Sequence, residues 1–388
     1  MTVTQPPYDT DTLVLVGASV RAAAESARRA NFRVIGIDLF GDTDTRRVCQ
    51  RFFKISGSAN SAEKESDTIL DACAGLPMLQ VGGFRSPLPL IDRLSSVCTQ
   101  LGPSHSQGIQ LRDPFVLENL AKPSGLRIPQ TWPSSRPPNT PDHGRLNRWL
   151  VKEKDSSGGI GIRWWPGDCE AMQDAVIQQW VPGRNLGVTF LSDGSQAQLL
   201  GVCRSLFTRK GSWPFVYAGS LGPLRPSDSI VGRLQRLGHL VVDAFQLPGL
   251  FNADVIVDRQ GQVWLLEMNF RWSSSMELIE RGLDGTDGSS AGISLIGSAI
   301  KRERIPGRTL IQDQSDRLFV KRILYARRPR QFRIAEWTAQ LGPCQSLHDV
   351  PQDGQLIGRH EPILTLITEV DRAAAKPFDC YKTLLRMC

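Results

Sequence analysis

Hydrophobic and polar positions near the start of the chain follow the pattern of a strand, a helix and a second strand. A β-rich run, TLVLV, ends at Gly17; a stretch of helical composition follows, and the next apolar run is RVIGIDLF. Apolar strands that alternate with helices indicate βαβ units and a parallel sheet. We expect the unit to repeat, because PMLQVGG is typical of a strand and PLPLIDRLSSVCTQLG of a helix that ends at Gly102.

The pattern changes from Trp149 onward to short alternating runs separated by glycine-containing turns: WLVKEK, AVIQQWV, GVTFLSDG and AQLLGVCRSLF. This alternation predicts antiparallel strands. A helix is predicted over SDSIVGRLQRLGHLVVDAFQL, and the last part of the chain predicts small β-structure that ends in GQLIGRHEPILTLITEV. Residues 133–144, PSSRPPNTPDHG, predict a proline-rich surface loop.

The segment FNADVIVDRQGQVWLLEMNF predicts two apolar strands joined at Gln260-Gly261. Asp254 lies in the first strand, and Glu267 and Asn269 lie in the second, where the period of two places them on one face. A loop of even length centred on the turn pairs Asp254 with Glu267. A three-residue loop with a glycine bulge shifts that pairing.

Two facing carboxylates within a hairpin need compensation. At a separation of about 4 Å they repel by about 4 kcal/mol at an effective dielectric constant of about 20. A proton or a cation relieves this repulsion. Oxygen ligands of this kind suit Mg²⁺ or Mn²⁺ that hold nucleotide phosphates. The hairpin therefore predicts an enzyme that handles ATP.

A second signal is KEKDSSGGIGI, which starts at Lys152 directly after a predicted strand. Glycines in such a loop can bring backbone N–H groups close to phosphate oxygens, and the lysine adds positive charge. An ordinary glycine-rich hairpin turn explains the same residues equally well. The loop is not a P-loop, because the ending G-K-[ST] is absent.

Composition is that of an ordinary globular protein. The chain has 388 residues, 40% of them hydrophobic and 22% charged, which is compatible with two or three domains. No run approaches the ~18 apolar residues of a membrane span, so no membrane partner is expected. The polar start, MTVTQPPYDTDT, does not resemble a signal peptide, and we expect a cytoplasmic location.

Charge and cysteine content narrow the function only slightly. The net charge of +7 suits anionic small molecules such as ATP as well as nucleic acid. The most basic run, KRILYARRPRQFR, lacks an aromatic stacking pattern, so we favour a strand, FVKRILYA, followed by a basic turn, and expect no nucleic-acid partner. The eight cysteines form no C-x-x-C pair, which indicates reduced thiols without a zinc site.

The order of these motifs resembles the ATP-grasp family of carboxylate–amine ligases. The lysine with its Ser/Gly loop comes first, QQWVPG (178–183) follows, and the D…E-x-N hairpin comes last. EMNFR with SMEL is similar to the signature of a carboligase-like branch related to biotin carboxylase, as are WPFVYAG and VPQDGQLIGRHEPILTLI. That branch includes members encoded alongside tetrahydromethanopterin and methanofuran one-carbon metabolism, which is the setting that the resemblance implies.

The resemblance implies an α/β fold in three parts. An N-terminal parallel-sheet pre-ATP-grasp domain would occupy 1–110, and an ATP-grasp α+β domain with antiparallel sheets would hold the nucleotide and metal in 111–300. A small C-terminal β-rich extension would follow in 301–388. The substrates would be a small-molecule carboxylate and an amine, and a homodimer remains open.

The resemblance also implies a role for each matching residue. Lys152 would bind the α/β-phosphates of ATP, and Arg271 would steady the transferred phosphoryl group or the tetrahedral intermediate. One or two Mg²⁺ (or Mn²⁺) ions would be held by Asp254, Glu267 and Asn269. The loop that closes over the phosphates would contain Ser156, Ser157, Gly158, Gly159 and Gly161. Backbone groups would be presented to adenine by Gln179, Trp180 and Val181.

Departures from the family pattern keep two other functions open. Phe270 replaces a common proline, Glu153-Lys154 replaces another, Asp113-Pro114 stands where many members have Asp-Lys, and Asn185 replaces a ribose-binding Glu. These changes suggest a nucleotide-binding regulatory protein without turnover. A different alternative is an NAD(P)-dependent oxidoreductase, since LVLVGASVRAA with Asp38 partly imitates a dinucleotide fingerprint.

Three further residues have two interpretations each. Arg21, after the first strand, either touches substrate or starts a helix and faces water. Arg204 either binds a substrate carboxylate or lies on a surface strand. His360 lies in a polar turn, where it either acts as an acid or base or, as we expect, is solvated.

Overall fold

The N-terminal part of the chain folds into a five-stranded parallel sheet. The computed structural model describes residues 10–55, 63–83, 89–103, 108, 110–111, 113–135, 148–167, 174–283, 292–305 and 317–372. The strand order is β3-β2-β1-β4-β5, and every neighbouring pair is parallel, as predicted. The strands are Thr12–Val16 (β1), Arg33–Asp38 (β2), Arg51–Lys54 (β3), Pro77–Gln80 (β4) and Thr99–Leu101 (β5), and the helices are Arg21–Arg29 (α1), Thr43–Val48 (α2), Glu63–Cys73 (α3) and Pro89–Val97 (α4).

The prediction of a helix that ends at Gly102 is wrong. The helix α4 ends at Val97, and the next residues form the edge strand β5. The backbone N–H of Thr99 donates to the carbonyl of Leu76 over 2.9 Å, and β5 then pairs with β4. These residues form a strand because they pair with the free edge of β4. A further helical turn would leave the backbone groups along that edge of β4 unpaired.

A short helix leads into a four-stranded antiparallel sheet with the order β6-β9-β7-β8. Asp113 caps this helix by accepting a hydrogen bond from the N–H of Phe115 over 2.8 Å, and Pro114 occupies its first position. Asp113-Pro114 thus has a local structural role. Most of the predicted loop 133–144 lies outside the described residues. The elements are Pro114–Ser124 (α5), Thr131–Pro133 (β6), Trp149–Ser157 (β7), Ile160–Trp164 (β8) and Ala175–Gln179 (β9).

The largest sheet has eight antiparallel strands in the order β14-β13-β10-β11-β12-β15-β19-β17, and β16 pairs with β18 separately. Strands from the last part of the chain thus extend the central sheet; the predicted domain boundaries stay a prediction. The strands are Arg184–Ser192 (β10), Ala197–Lys210 (β11), Trp213–Gly222 (β12), Gly249–Val257 (β13), Val263–Asn269 (β14), Arg317–Tyr325 (β15), Arg330–Gln331 (β16), Gln345–His348 (β17), Leu356–Ile357 (β18) and Pro362–Asp371 (β19). The helices are Asp228–Phe245 (α6), Met276–Leu283 (α7), Leu295–Lys301 (α8) and Ile334–Thr338 (α9).

An aromatic stack supports the hairpin of β13 and β14 from the core side. The ring of Phe251 stacks on Phe190 at 4.7 Å between centroids and on Phe270 at 5.1 Å. Stacked aromatic rings in a core contribute about 0.5–1.5 kcal/mol beyond the area they bury. Phe270, which replaces the usual proline, therefore packs under the hairpin that carries the acidic residues.

The parallel sheet meets the large sheet next to this hairpin. Val81, at the end of β4, forms a parallel bridge with Trp272, and the N–H of Gly82 donates to the Trp272 carbonyl over 3.2 Å. The carboxyl ends of the parallel strands therefore face the residues that follow β14. Ligands of parallel α/β sheets bind at such an edge.

Candidate active site

A bulge in β14 brings the two carboxylates of the hairpin together. Val257 pairs with Val263, so the connecting loop, residues 258–262, has an odd number of residues. The register then shifts by one, because Leu266 is an extra residue, and Asp254 pairs with Glu267. Asp254 therefore faces Glu267, as the metal-binding interpretation requires, although the loop has neither of the two lengths considered from the sequence.

Amide groups surround the carboxylates. The Nδ2 group of Asn269 donates to both Asp254 and Glu267, over 3.0 Å in each case, and Nδ2 of Asn252 donates to Asp254 over 3.0 Å. Burial and the nearby Glu267 charge raise the pKa of Asp254 to about 8. Burial acts against ionisation of Glu267 as well, but the charge of Lys152 and a hydrogen bond from Asp254 lower its pKa to about 2. The pair therefore holds one proton at neutral pH when no cation is bound.

The donor atoms of this cluster fit a hard divalent cation. Asp254 and Glu267 supply carboxylate oxygens, the ligands that Mg²⁺ takes in proteins, whereas the Oδ1 atom of Asn269 accepts from Arg271 and would reach a cation only after the amide turns. The Oδ1 atom of Asn252 is buried and accepts no hydrogen bond from any described residue. Gly187 lies opposite Asp254 on β10, and its missing side chain leaves room beside these oxygens. Asn252 was not singled out in the sequence, although it lies two positions before Asp254 and therefore on the same strand face.

Lys152 extends from the small sheet toward the acidic pair. Its Nζ donates to Oε1 of Gln178 over 3.3 Å, and Gln178, which is buried, donates to Oγ1 of Thr131 over 3.1 Å. The charge of Lys152 lowers the pKa of Glu267, so this lysine lies on the side of the small sheet that faces the acidic pair.

The glycine-rich loop forms a tight hairpin turn that lies against β12. Ser157 pairs with Ile160, and the two glycines between them have φ of +58° and +81°, a conformation that L side chains rarely adopt. The carbonyl of Gly158 accepts a hydrogen bond from the N–H of Tyr217 over 2.8 Å. A Cβ on Gly159 would lie 1.8 Å from the carbonyl oxygen of Phe215. The absence of a side chain at Gly159 therefore permits this close contact with β12; phosphate binding by the loop, including Ser156 and Gly161, stays a prediction.

The strand predicted to face adenine has part of its backbone already paired. The N–H of Gln179 donates to the carbonyl of Gln130, and the N–H of Trp180 donates to the carbonyl of Arg148, both over 2.8 Å. Within the described residues, the carbonyl of Trp180 and the N–H of Val181 have no backbone partner. These two groups are therefore compatible with the predicted role toward adenine, which stays a prediction.

Arg271 links the acidic cluster to the parallel sheet. Its Nη2 donates to Oδ1 of Asn269 over 3.0 Å, and a Cβ on Gly82 would lie 1.9 Å from its Nη1. The guanidinium group therefore lies over the loop that follows β4. Arg271 therefore lies between the acidic cluster and the edge of the parallel sheet.

Arg21 does not face water, contrary to one of its two interpretations. It is 1% exposed, its Nε donates to Asp349 over 2.9 Å, and its Nη1 donates to Glu25 and Glu277, also over 2.9 Å. Lys321 donates to the same Glu277 over 2.7 Å. Sequence reasoning missed this buried ion-pair network, whose members are far apart in the chain.

The network also accounts for a second cluster of metal-binding residue types. Among the described residues, Glu25, Glu277 and His348 place one potential ligand atom each within 4.8 Å of one another. The guanidinium of Arg21 pairs with both glutamates, so a cation is already present. The basic run that begins at Lys321 starts within the strand β15, as predicted, but Lys321 itself is buried and not solvated.

Contacts in the first βαβ unit do not favour the oxidoreductase alternative. Asp38 accepts hydrogen bonds from the N–H groups of Val20, Phe40 and Gly41 over 2.8–3.2 Å, which occupy the carboxylate within the protein. A Cβ on Gly17 would lie 2.7 Å from Cβ of Val81, so packing requires this glycine. Arg204 and His360 are exposed. In the part of the chain that the structure describes, no helix is long and apolar enough to cross a membrane.

Comparison with known proteins agrees with the geometry of the cleft. Residues 116–275 match the family described as ATP-grasp domain. This part of the chain is therefore similar to an ATP-grasp domain, and the acidic hairpin lies at the end of the matched region. A search of curated proteins by sequence found no match.

Solved structures share the fold over nearly the whole chain. An ADP complex of N5-carboxyaminoimidazole ribonucleotide synthetase superposes with a TM-score of 0.67 at 14% identity, over 99% of this chain and 98% of that one. N5-carboxyaminoimidazole synthase from Aspergillus clavatus, with ADP and 5-aminoimidazole ribonucleotide, gives 0.66 at 16% identity over 97% and 98%. The biotin carboxylase domain of Hydrogenobacter thermophilus 2-oxoglutarate carboxylase, with MgADP and bicarbonate, gives 0.64 at 14% identity over 93% and 86%. The fold is thus shared with biotin carboxylase and these synthetases, and the predicted fold class is confirmed.

Proposed function

We propose that this protein is an ATP-dependent, ADP-forming ligase that joins a carboxylate to an amine, or forms a related carbon–nitrogen bond, through an acyl phosphate. The observation that carries the proposal is the pairing of Asp254 with Glu267 inside the region that is similar to an ATP-grasp domain. Two half-buried carboxylates that share a proton form a costly arrangement, which a divalent cation relieves. A metal site opposite a lysine suits the phosphates of ATP.

The proposed metal is Mg²⁺, held by Asp254, Glu267 and Asn269. When bound, it supplies positive charge beside the phosphate oxygens. Asn252 is a further candidate ligand, because its Oδ1 is buried without a partner among the described residues. The solved relative that contains MgADP supports magnesium by analogy of fold.

Side chains of the cleft would act by positioning and charge. A substrate carboxylate attacks the γ-phosphorus of ATP, ADP leaves, and the acyl phosphate is attacked by an amine that displaces phosphate. Lys152, held by Gln178, would bind the α/β-phosphates. Arg271, between the acidic cluster and the parallel sheet, would stabilise negative charge on the transferred group or on the tetrahedral intermediate. No nucleophilic side chain is required.

The hairpin turn at Gly158 and Gly159 would cover the nucleotide. Its contact with β12 spans the cleft between the two antiparallel sheets. A covered site excludes water, which would otherwise hydrolyse an acyl phosphate. The Trp180 carbonyl and the Val181 N–H would contact adenine.

Departures from the family pattern do not favour a protein without turnover. Phe270 has a packing role in the aromatic stack, and Asp113-Pro114 has a capping role. Neither change removes a group from the acidic cluster. We therefore propose an active enzyme whose substrates are small molecules in the cytoplasm, where ATP and magnesium are available.

A screen for ADP release tests the proposal. Purified protein with MgATP would be offered pairs of acids and amines, including bicarbonate, amino acids and precursors of pterin- and furan-containing cofactors. We expect ADP and phosphate only when acid and metal are both present. One-carbon metabolism, the setting proposed from sequence, predicts a response to the pterin or furan compounds.

Isotope transfer identifies the intermediate. An acid labelled with ¹⁸O in its carboxylate passes one labelled oxygen to phosphate if an acyl phosphate forms. Unlabelled phosphate alongside ADP and amide would exclude this intermediate. Absence of ADP release with every pair, in protein that binds MgATP, would instead support a regulatory nucleotide-binding protein.

A further inference from the structure

Two thiols contact each other at one edge of the parallel sheet. Cys73 is the last residue of α3, and Cys98 lies between the end of α4 and the start of β5. The Sγ of Cys98 donates to the carbonyl of Cys73 over 3.2 Å, and a hydrogen bond also joins the two thiol groups. Both cysteines are free thiols in the structure, and 25 positions separate them in the chain.

Backbone hydrogen bonds hold the two segments together on both sides of this contact. The N–H of Gly75 donates to the carbonyl of Val97 over 2.8 Å, and the N–H of Thr99 donates to the carbonyl of Leu76 over 2.9 Å. Cys98 lies between these two bonds in the chain. The contact between the thiols therefore follows from the packing of the turn after α3 against the residues that lead into β5.

The two thiols differ in exposure. Cys73 is fully buried, at 0% exposure, whereas Cys98 is partly exposed. A small oxidant in solution therefore reaches the sulfur of Cys98 first, while the sulfur of Cys73 is shielded behind it.

Hydrogen bonding makes Cys98 the more reactive of the two thiols. The Cys73 thiol donates to the ionised sulfur of Cys98, which lowers the pKa of Cys98 below its ordinary value. The same hydrogen bond, together with burial, raises the pKa of Cys73. The thiolate is the nucleophile in disulfide exchange. An accessible thiol of this kind, with a second thiol beside it, is typical of a redox-sensitive site.

We propose that Cys73 and Cys98 are a redox modification site, which a small disulfide such as oxidised glutathione converts into a reversible intramolecular disulfide. The Cys98 thiolate attacks one sulfur of oxidised glutathione, and one glutathione thiolate leaves. Cys73 then loses its proton to solvent, its sulfur attacks that of Cys98, and the second glutathione leaves. Two cysteine thiols are thereby oxidised, and one molecule of oxidised glutathione is reduced to two thiols.

A disulfide suits this pair better than a metal ion does. Structural zinc sites use about four ligands. Among the described residues, neither cysteine belongs to a group of three closely spaced metal-binding side chains. Each cysteine also lies at the end of a helix or strand, and the exposed turn that follows Cys73 has open space around Gly75.

The disulfide would fasten the edge strand of the parallel sheet. The strand β5 has three residues and pairs on one side only, with β4. A cross-link over 25 positions restricts the unfolded chain and holds the start of β5 to the turn after α3. The oxidised protein should therefore melt about 3 °C or more above the reduced protein, with slower amide hydrogen exchange in β5.

Peptide mapping after oxidation tests the inference on the wild-type protein. The protein is equilibrated with oxidised glutathione, remaining thiols are blocked with N-ethylmaleimide, and tryptic peptides are identified by mass spectrometry. Cleavage after lysine and arginine places Cys73 in the peptide 65–85 and Cys98 in the peptide 94–112, each as the only cysteine. We expect these two peptides to be linked, with the loss of two hydrogens, and to separate on reduction with dithiothreitol.

Variants distinguish the roles of the two sulfur atoms. In Cys98→Ser, we expect Cys73 to stay reduced, because the oxidant does not reach it. In Cys73→Ala, which keeps the buried position small and apolar, Cys98 should stop at a mixed disulfide with glutathione. Cys344→Ser is the matched control, since it removes an exposed thiol elsewhere and should leave the link between the two peptides intact.

Several results would overturn the inference. Absence of the linked peptides at a glutathione concentration that modifies Cys344 would exclude the disulfide, and so would a link from Cys98 to any other cysteine. An oxidised protein that melts no higher than the reduced protein would show that β5 is not fastened. These measurements contain no ATP, so their outcome is independent of the proposed ligase function.

Discussion

Asp254 lies opposite Glu267 in the paired strands β13 and β14 because Leu266 is bulged out of the register. Without the bulge, the pairing set by Val257 and Val263 would place Leu266 opposite Asp254. Residues directly opposite each other share a face, so Glu267 would then point away from Asp254. A single inserted residue thus determines whether the two carboxylates can share one cation.

Loss of either carboxylate should abolish magnesium-dependent nucleotide turnover and leave the fold intact. We expect Asp254→Asn and Glu267→Gln to lower turnover by at least about a hundredfold, as removal of an electrostatic contact to a transition state does. Steady-state ADP release and circular dichroism are the measurements. Glu369→Gln, which removes an exposed partner of Arg317, is the matched control and should keep full turnover. Full turnover in both Asp254→Asn and Glu267→Gln would exclude this hairpin as the metal-binding site.

The stability of the metal-free protein should fall as pH rises, in part through Asp254. Its pKa in the folded protein is about 8, above the ~3.9 of an unfolded Asp, so folding takes up a proton. The stabilisation from this group is complete below about pH 4 and is lost as pH rises through about 8, at up to about 1.4 kcal/mol per pH unit.

Urea unfolding of wild type and Asp254→Asn in EDTA, at several pH values from about 5 to about 9, measures this contribution. Asp42 and Asp38 also have raised pKa values, but they are present in both proteins and cancel in the difference. We expect the free energy of unfolding of Asp254→Asn to rise relative to that of the wild type as pH increases. Addition of Mg²⁺ should remove this pH-dependent difference. If the unfolding free energies of the two proteins changed with pH in parallel, the hypothesis that Asp254 and Glu267 share a proton would be wrong.

Lys152→Ala should weaken ATP binding by about ten- to a hundredfold, the range of a hydrogen bond to a charged group. The matched control is Lys154→Ala, two residues along the same strand, whose side chain is 65% exposed and pairs with Asp174. Calorimetric titration measures the affinity of both variants for ATP, once with Mg²⁺ and once without it. Equal affinities in Lys152→Ala and wild type would exclude Lys152 from the phosphate site.

Gly159→Ala should detach the hairpin turn from β12, whereas Gly158→Ala should not. Both glycines have positive φ, so both substitutions carry about 1 kcal/mol of backbone strain. Only the methyl group at Gly159 would collide with the carbonyl of Phe215; the space beside Gly158 is open. We expect faster proteolysis of the hairpin and a higher KM for ATP in Gly159→Ala alone. Similar behaviour of the two variants would show that strain, and not the contact, is responsible.

Local patterns in the sequence predicted most of the fold. Alternation of apolar residues located β7, β10 and β11, and the βαβ opening predicted a parallel sheet. The same patterns could not locate the end of α4 correctly, because pairing with the edge of β4 decides it. Pairing with a distant strand is a tertiary effect that leaves no local signal in Thr99–Leu101.

The part of the candidate site that lies within one hairpin could be predicted from the spacing of its residues in the sequence. Asp254, Glu267 and Asn269 are close in sequence, and their shared face follows from the period of a strand. Arg21 and Glu277, separated by 256 residues, come together only when the parallel sheet packs against α7.

Removal of the Arg21 guanidinium should destabilise the protein more than any exposed ion pair can. Arg21→Ala leaves the buried Glu277 and the partly buried Asp349 with fewer partners, and loss of one member of a buried ion pair costs about 3–5 kcal/mol. Arg33→Ala removes an ion pair whose side chains are about half exposed and should cost less than about 1 kcal/mol. Urea unfolding followed by tryptophan fluorescence measures both. A loss below about 1 kcal/mol in Arg21→Ala would mean that Lys321 and Arg281 neutralise Glu277 without Arg21, and Arg21→Lys should then match wild type.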